Sequence, residues 1–182
     1  QEFVEISPNR LVKLPQDIDR NVAAFTEIIS VSVHAITRFD KIAHARRDVI
    51  GVWGDGNLGY ITSLFLKYIF PKSKIAVFGT NREKLNDFTF ADETHLVNEV
   101  PDGFTMDHAF ECVGGNGSPI AIEQIIELIK PESTLSILGV SEYPVPINTR
   151  MILEKGIRMF GTSRSGVADF KKTVDMYVEH PE

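Results

Sequence analysis

From Asp48 onward, apolar residues come in short unbroken runs, DVIGVWG, KIAVFG, DHAFECVG and TLSILGV, each running into glycine. Stretches of helical spacing separate them. A strand apolar on both faces suits a parallel sheet covered by helices on both sides. Crossover helices are expected at 57–70, 118–129 and 167–177, with a shorter one at 82–87, and further strands at 95–98 and 157–161. Six strands in βα alternation, joined by right-handed crossovers, predict an α/β fold built on a doubly wound six-stranded parallel sheet.

Upstream of Asp48 the period changes. Val22, Phe25, Ile29, Val33 and Ile36 repeat at helical spacing, which predicts one long helix over 19–39 with Asp17 or Asp19 as N-cap. Before it, Phe3, Val4 and Ile6, then Leu11, Val12 and Leu14, form two short extended runs. Ser7-Pro8-Asn9-Arg10, a turn composition, divides them, and Pro15 ends them. The chain opens without Met on what reads as a strand in progress, so a fragment is expected. The boundary falls near 45–48, giving a remnant of another domain and a linking helix at 1–46 and the doubly wound domain at 47–182.

Composition narrows the function. With 182 residues, 43% of them hydrophobic, the chain can bury one core plus an appendage. A net charge of −6 argues against a sequence-blind grip on nucleic acid or an anionic membrane. Any phosphate must therefore be held locally. The single cysteine, Cys112, excludes an intrachain disulfide and a multi-cysteine zinc site, and suits a cytoplasmic location. It reads as a buried small hydrophobe rather than a nucleophile. No stretch reaches the roughly 18 apolar residues of a membrane span.

The first run of the doubly wound region feeds into Gly54-Asp55-Gly56-Asn57-Leu58-Gly59 and then a helix, the strand, GxGxxG, helix context of the Rossmann dinucleotide turn. Gly54 makes the tight turn, Gly56 lets backbone approach a pyrophosphate, and Gly59 lets the helix pack on the strand. Asp55 is expected to point to solvent, because a carboxylate beside a pyrophosphate repels it. About 20 residues beyond the motif, an acidic side chain would read the ribose of NAD. Gly79 stands there instead, followed by Thr80, Asn81 and Arg82, whose hydroxyl, amide and guanidinium suit the 2'-phosphate of NADP(H). Gly79→Asp is accordingly expected to reverse the preference. The alternative is a solvated Arg82 at a helix start. Val113 with Gly114, and Val140 with Ser141, follow strand ends on the sheet's ligand-binding edge and are further candidates for lining a cofactor. Arg164, after the last strand, either approaches a phosphate or sits in a solvated turn. His34 is the histidine best placed to approach a substrate, although packing between helices accounts for it more simply.

The segments GVWGDGNLGYI, KIAVFGTNREKL, DHAFECVGGNGS and LGVSEYPVPINTRMILEKG together resemble the zinc-dependent medium-chain alcohol dehydrogenase/reductase family. Within it they are most similar to the ribulose-5-phosphate reductases of wall teichoic acid synthesis. The resemblance spans essentially the whole chain. It implies NADPH-dependent reduction of a sugar-phosphate substrate, D-ribulose 5-phosphate to D-ribitol 5-phosphate, in a cytoplasmic homo-oligomer associated with a cytidylyltransferase of the same pathway. It also implies a catalytic zinc held by a Cys, a His-Glu pair and a later Glu, of which only Glu27 is present, and a role for Leu58 behind the nicotinamide ring. The piece alone is then expected to bind NADP(H) but no zinc, and to be an inactive nucleotide-binding module. A zinc-free quinone reductase-like or another medium-chain alcohol dehydrogenase remains the alternative parent.

Overall fold

The computed structural model describes residues 5–179; Phe3 and Val4, assigned to the first extended run, lie outside them. Six strands, β1 (Val49–Trp53), β2 (Lys74–Gly79), β3 (Glu93–Leu96), β4 (Met106–Glu111), β5 (Ile129–Ile137) and β6 (Arg158–Gly161), form one sheet in the order β3-β2-β1-β4-β5-β6. Every pairing is parallel. Among the described residues the helices are α1 (Arg20–Ala24), α2 (Thr26–Ile42), α3 (Asn57–Ile69), α4 (Arg82–Leu85), α5 (Ser118–Leu128), α6 (Thr149–Lys155) and α7 (Val167–Glu179).

The apolar runs are explained by the two faces they serve. Ile50, Val52, Ile75, Val77 and Phe110 pack on one face with Ala35, Ile36 and Phe39 of α2 and Leu66 of α3. Trp53, Ala76, Phe78, Ala109 and Leu135 pack on the other with Ala121, Ile122, Ile125 and Ile126 of α5. Alternate residues of each central strand thus go to opposite layers, and both layers are built on apolar side chains. Phe39 is fully buried and meets Phe110 edge-on at 5.1 Å; a side chain of that size in a closed core is worth about 3 to 5 kcal/mol over alanine.

Polar groups at the amino edge of the sheet are answered by carboxylates. Asp107, fully buried, accepts from the Val49 amide at 3.0 Å and is paired with Arg46 and Lys130. Asp92 accepts from the Ile75 amide at 2.8 Å and pairs with Lys67. In both, burial by itself would raise the carboxyl pKa, but the amides and cations outweigh it and hold it below the usual range.

Several local expectations are corrected. The single helix expected at 19–39 is two: Asp19 caps α1 at the Asn21 amide, and the chain breaks at Phe25, where the Thr26 hydroxyl donates to the Ala23 carbonyl at 2.6 Å. The run near Leu11 joins no strand, and residues Pro8–Arg10 form a single 3-10 turn. β3 begins two residues before its expected start, since this edge strand has no fully buried residue to mark it. Helix α6 was not anticipated. It buries none of its residues fully and is defined by its ends, with Asn148 accepting from the Met151 amide and Gly156 left-handed at φ 61°.

Candidate cofactor-binding site

In a sheet of this order, α3 leaves β1 toward one face and α5 follows β4 toward the other, which opens a crevice at the carboxyl ends of β1 and β4. A Cβ on Gly59 would run into the Gly54 carbonyl, so strand turn and helix touch only because residue 59 is glycine. Gly56 caps α3 without a side-chain hydrogen bond, and a Cβ there would meet nothing within 4 Å. The unpaired first amides of α3 therefore face open space, which is the cradle a pyrophosphate needs. Asn57 opens the helix and is exposed, while Leu58 is half-buried against the core.

Asp55 does not point to solvent as expected. Its Oδ2 accepts from the Thr80 amide at 2.7 Å and the Asn81 amide at 2.8 Å, with the Thr80 hydroxyl at 3.4 Å. These bonds supply the charge compensation that the sequence reading did not foresee. They also correct the expectation for Gly79→Asp: a Cβ at position 79 would lie 2.6 Å from the Asp55 Cβ and 2.7 Å from its Oδ2. An acidic side chain there meets a clash and a like charge before it meets a ribose.

Beyond Asp55, the β2 loop presents exposed side chains. The Asn81 side chain caps α4 at the Lys84 amide, 3.2 Å away, and Arg82 pairs with Glu99 at 2.6 Å, both partners more than half exposed. That pair holds the guanidinium at the rim in an exchangeable contact.

On the other side of the crevice, Glu111 was missed by sequence reasoning. Its side chain is fully buried; Oε1 accepts from the Val113 amide at 3.1 Å and the Gly114 amide at 2.8 Å, and Oε2 from the Gly139 amide at 3.2 Å. The signal available was a carboxylate at the end of the fourth strand run, directly before the Cys112-Val113-Gly114 turn. The two loops it joins are also laced directly, Gly115 amide to Val140 carbonyl at 2.8 Å and Ser141 hydroxyl to Gly115 carbonyl at 3.3 Å. Val113 and Val140 stand exposed on them.

Other candidates separate from this crevice. Arg164 has a left-handed backbone, φ 62°, after β6. Four strand spacings divide β6 from β2, roughly 19 Å, so Arg164 and Arg82 do not share a phosphate. His34 bonds Asp169 of α7 at 3.0 Å, while Ser30 bonds Ser165 at 2.8 Å, so both tie α2 to the segment after β6. Burial pushes the Cys112 thiol up to about 12, which leaves it un-ionised at neutral pH. A groove of about 730 Å³ lies elsewhere, among Pro15, Ile18, Leu64, Phe65, Met176 and Val178, and is mostly apolar.

Glu27 is exposed in the first turn of α2. Among the described residues, no group of three or more His, Cys, Asp or Glu side chains could hold a metal ion. The described residues therefore do not by themselves compose a zinc site.

The model of the zinc-binding dehydrogenase family matches residues 74–179, more than half of the chain. Ribulose-5-phosphate reductase of Bacillus spizizenii is 53% identical over 182 residues, all of this chain and 53% of that protein. Ribulose-5-phosphate reductase 1 of Staphylococcus aureus is 50% identical over the same length, again 53% of its own. The crystal structure of S. aureus TarJ in complex with NADPH superposes with a TM-score of 0.93 at 50% identity, covering 98% of this chain and 56% of that one. The chain thus spans about half the length of the curated relatives it matches. A glycine turn feeding an uncapped helix, a 3-2-1-4-5-6 parallel sheet and the family match converge on one statement: the chain belongs to the zinc-binding dehydrogenase family.

Proposed function

We propose that this chain is the cofactor-binding half of an NADPH-dependent reductase that converts D-ribulose 5-phosphate to D-ribitol 5-phosphate. The observation that carries the reading is the likeness, at 50% identity and a TM-score of 0.93, to a protein crystallised with NADPH. Ribulose-5-phosphate reductases that match the entire chain support the substrate.

On this reading the amides of Asn57, Leu58 and Gly59 at the start of α3 receive the pyrophosphate, where an uncapped helix end favours negative charge. Thr80, Asn81 and Arg82 surround the adenosine 2'-phosphate beside Gly79, and Arg82 exchanges Glu99 for the phosphate. Leu58 backs the nicotinamide, and Val113, Gly114, Val140 and Ser141 line its approach. Arg164, which lies away from this crevice after β6, is left to serve a phosphate group there. Bound NADPH supplies the hydride that reduces the ketone carbon of the sugar. This chain's share is to orient that donor and to keep the loops around it in one shape.

Glu27 is this chain's contribution to a zinc site completed by residues of the parent outside the described ones. The division at residue 46 is then one of parentage rather than packing, since Ala35, Ile36 and Phe39 of α2 share the sheet's core. The parent works in the cytoplasm as a homo-oligomer, alongside a cytidylyltransferase that consumes ribitol phosphate. The full-length enzyme should oxidise NADPH with ribulose 5-phosphate far faster than with unphosphorylated ribulose. Equal turnover of the two sugars overturns the assignment.

A further inference from the structure

In dinucleotide-binding folds that select NAD, an acidic side chain at the end of the second strand reads the ribose hydroxyls. Here the end of β2 is Gly79, and the space its side chain would occupy is filled from another element. The Asp55 carboxylate reaches across from the β1 turn, so that a Cβ on residue 79 would lie 2.6 to 2.9 Å from three of its atoms. Asp55 is at once a carboxylate in the position of the NAD-selecting group and the acceptor for two successive amides of the 79–82 loop. These two roles predict opposite behaviour toward a 2'-phosphate.

We propose that Asp55 is the positioning residue that shapes the 2'-phosphate pocket, acting through the Thr80 and Asn81 amides rather than on the ribose. The proposal rests on the reading that the chain binds NADPH. One oxygen, Oδ2, takes both amides and lies near the Thr80 hydroxyl, so its charge is spent on the backbone of the loop. No lysine or arginine is paired with Asp55 among the described residues. Among the described residues the amides at 80 and 81 are its shortest donors, and they point inward to it. That leaves the side chains of Thr80, Asn81 and Arg82 exposed at the rim, as a pocket built from side chains requires. Asn81 can cap α4, and Arg82 can open that helix at the rim, only while this bend is kept. Gly79 is then needed for clearance from Asp55, and its lack of an acidic group is a by-product.

The test uses the full-length enzyme and calorimetric titration of NADPH and NADH into the wild type, Asp55→Ala and Asp55→Asn. If Asp55 positions the loop, Asp55→Ala weakens NADPH by about tenfold or more, the scale of a lost bond to a charged acceptor, and weakens NADH much less. Asn retains an acceptor oxygen, so Asp55→Asn falls between. In the cofactor-free protein, Asp55→Ala also speeds hydrogen exchange at the Thr80 and Asn81 amides. If Asp55 instead reads the ribose, removing its charge strengthens NADPH and weakens NADH, which overturns the proposal. So does an unchanged ratio of the two affinities. A wild type that prefers NADH sinks the cofactor reading, whereas faster exchange at the two amides is judged without any cofactor.

Discussion

Replacing Glu111 by glutamine exchanges one carboxylate oxygen for an amide nitrogen and removes one charge from beneath the crevice. The buried carboxylate accepts from the Val113, Gly114 and Gly139 amides at 3.1, 2.8 and 3.2 Å. A hydrogen bond to a charged group contributes about 1.5 to 3 kcal/mol net, and one between neutral groups about 0.5 to 1.5. If the glutamine oxygen stays with Val113 and Gly114, each bond drops by about 1 kcal/mol. The new NH2 then faces the Gly139 amide donor to donor. Gly139 keeps a second acceptor, the Glu111 main-chain carbonyl at 3.0 Å, so this contact adds roughly 1 kcal/mol rather than a full orphaned donor. The expected loss is about 2 to 4 kcal/mol, which for a chain of this size lowers the thermal midpoint by roughly 4 to 16 °C. Circular dichroism melting curves of wild type and Glu111→Gln measure it directly. A midpoint within about 1 °C of wild type would refute the reasoning, because it would mean that the amides do not depend on a charged acceptor.

Arg82→Ala should weaken NADPH binding by about 10- to 150-fold, the equivalent of 1.5 to 3 kcal/mol, with little change for NADH; equal weakening of both cofactors would make Arg82 a bystander. The fold should also lose stability between pH 6.5 and 4. Burial first, and then the neighbouring His44, hold the His108 imidazole at about 4, so the unfolded chain binds the extra proton across that window. The stabilisation is complete above pH 6.5 and falls by about 1.4 kcal/mol per pH unit, on the order of 3 kcal/mol in all. Denaturation midpoints that stay flat from pH 6.5 to 4.5 would contradict it.

The sheet was legible because its strands are buried on both faces, and continuous apolar runs such as KIAVFG leave few other readings. The turn after β1 was legible because glycine spacing there answers to backbone contact, as between Gly59 and Gly54. Periodicity could not find α6, which buries none of its residues fully and is written in its caps, or the break at Phe25, where the Thr26 hydroxyl donates to the Ala23 carbonyl. Asp55 and Glu111 were misread or missed for a common reason. Their partners include main-chain amides as far as 26 and 28 positions away, those of Asn81 and Gly139, and an amide carries no letter in a sequence. Arg82 is legible as a candidate for the 2'-phosphate, but its pairing with Glu99 depends on the path from α4 to β3 and beyond.

The two carboxylates at the carboxyl edge divide labour in a way that bears on how such a site can change. The amides of residues 80, 81, 113, 114 and 139 are answered by Asp55 and Glu111, which sit outside the loops they hold. Loop shape is therefore encoded at positions 55 and 111, while the side chains of Arg82, Val113 and Val140 make no measured contact with either carboxylate. Substitutions at those three positions can retune what the crevice recognises without unmaking its backbone. A change at either carboxylate alters several contacts at once. Variation among descendants of this chain is thus channelled toward the rim, and the two acids act as its fixed points.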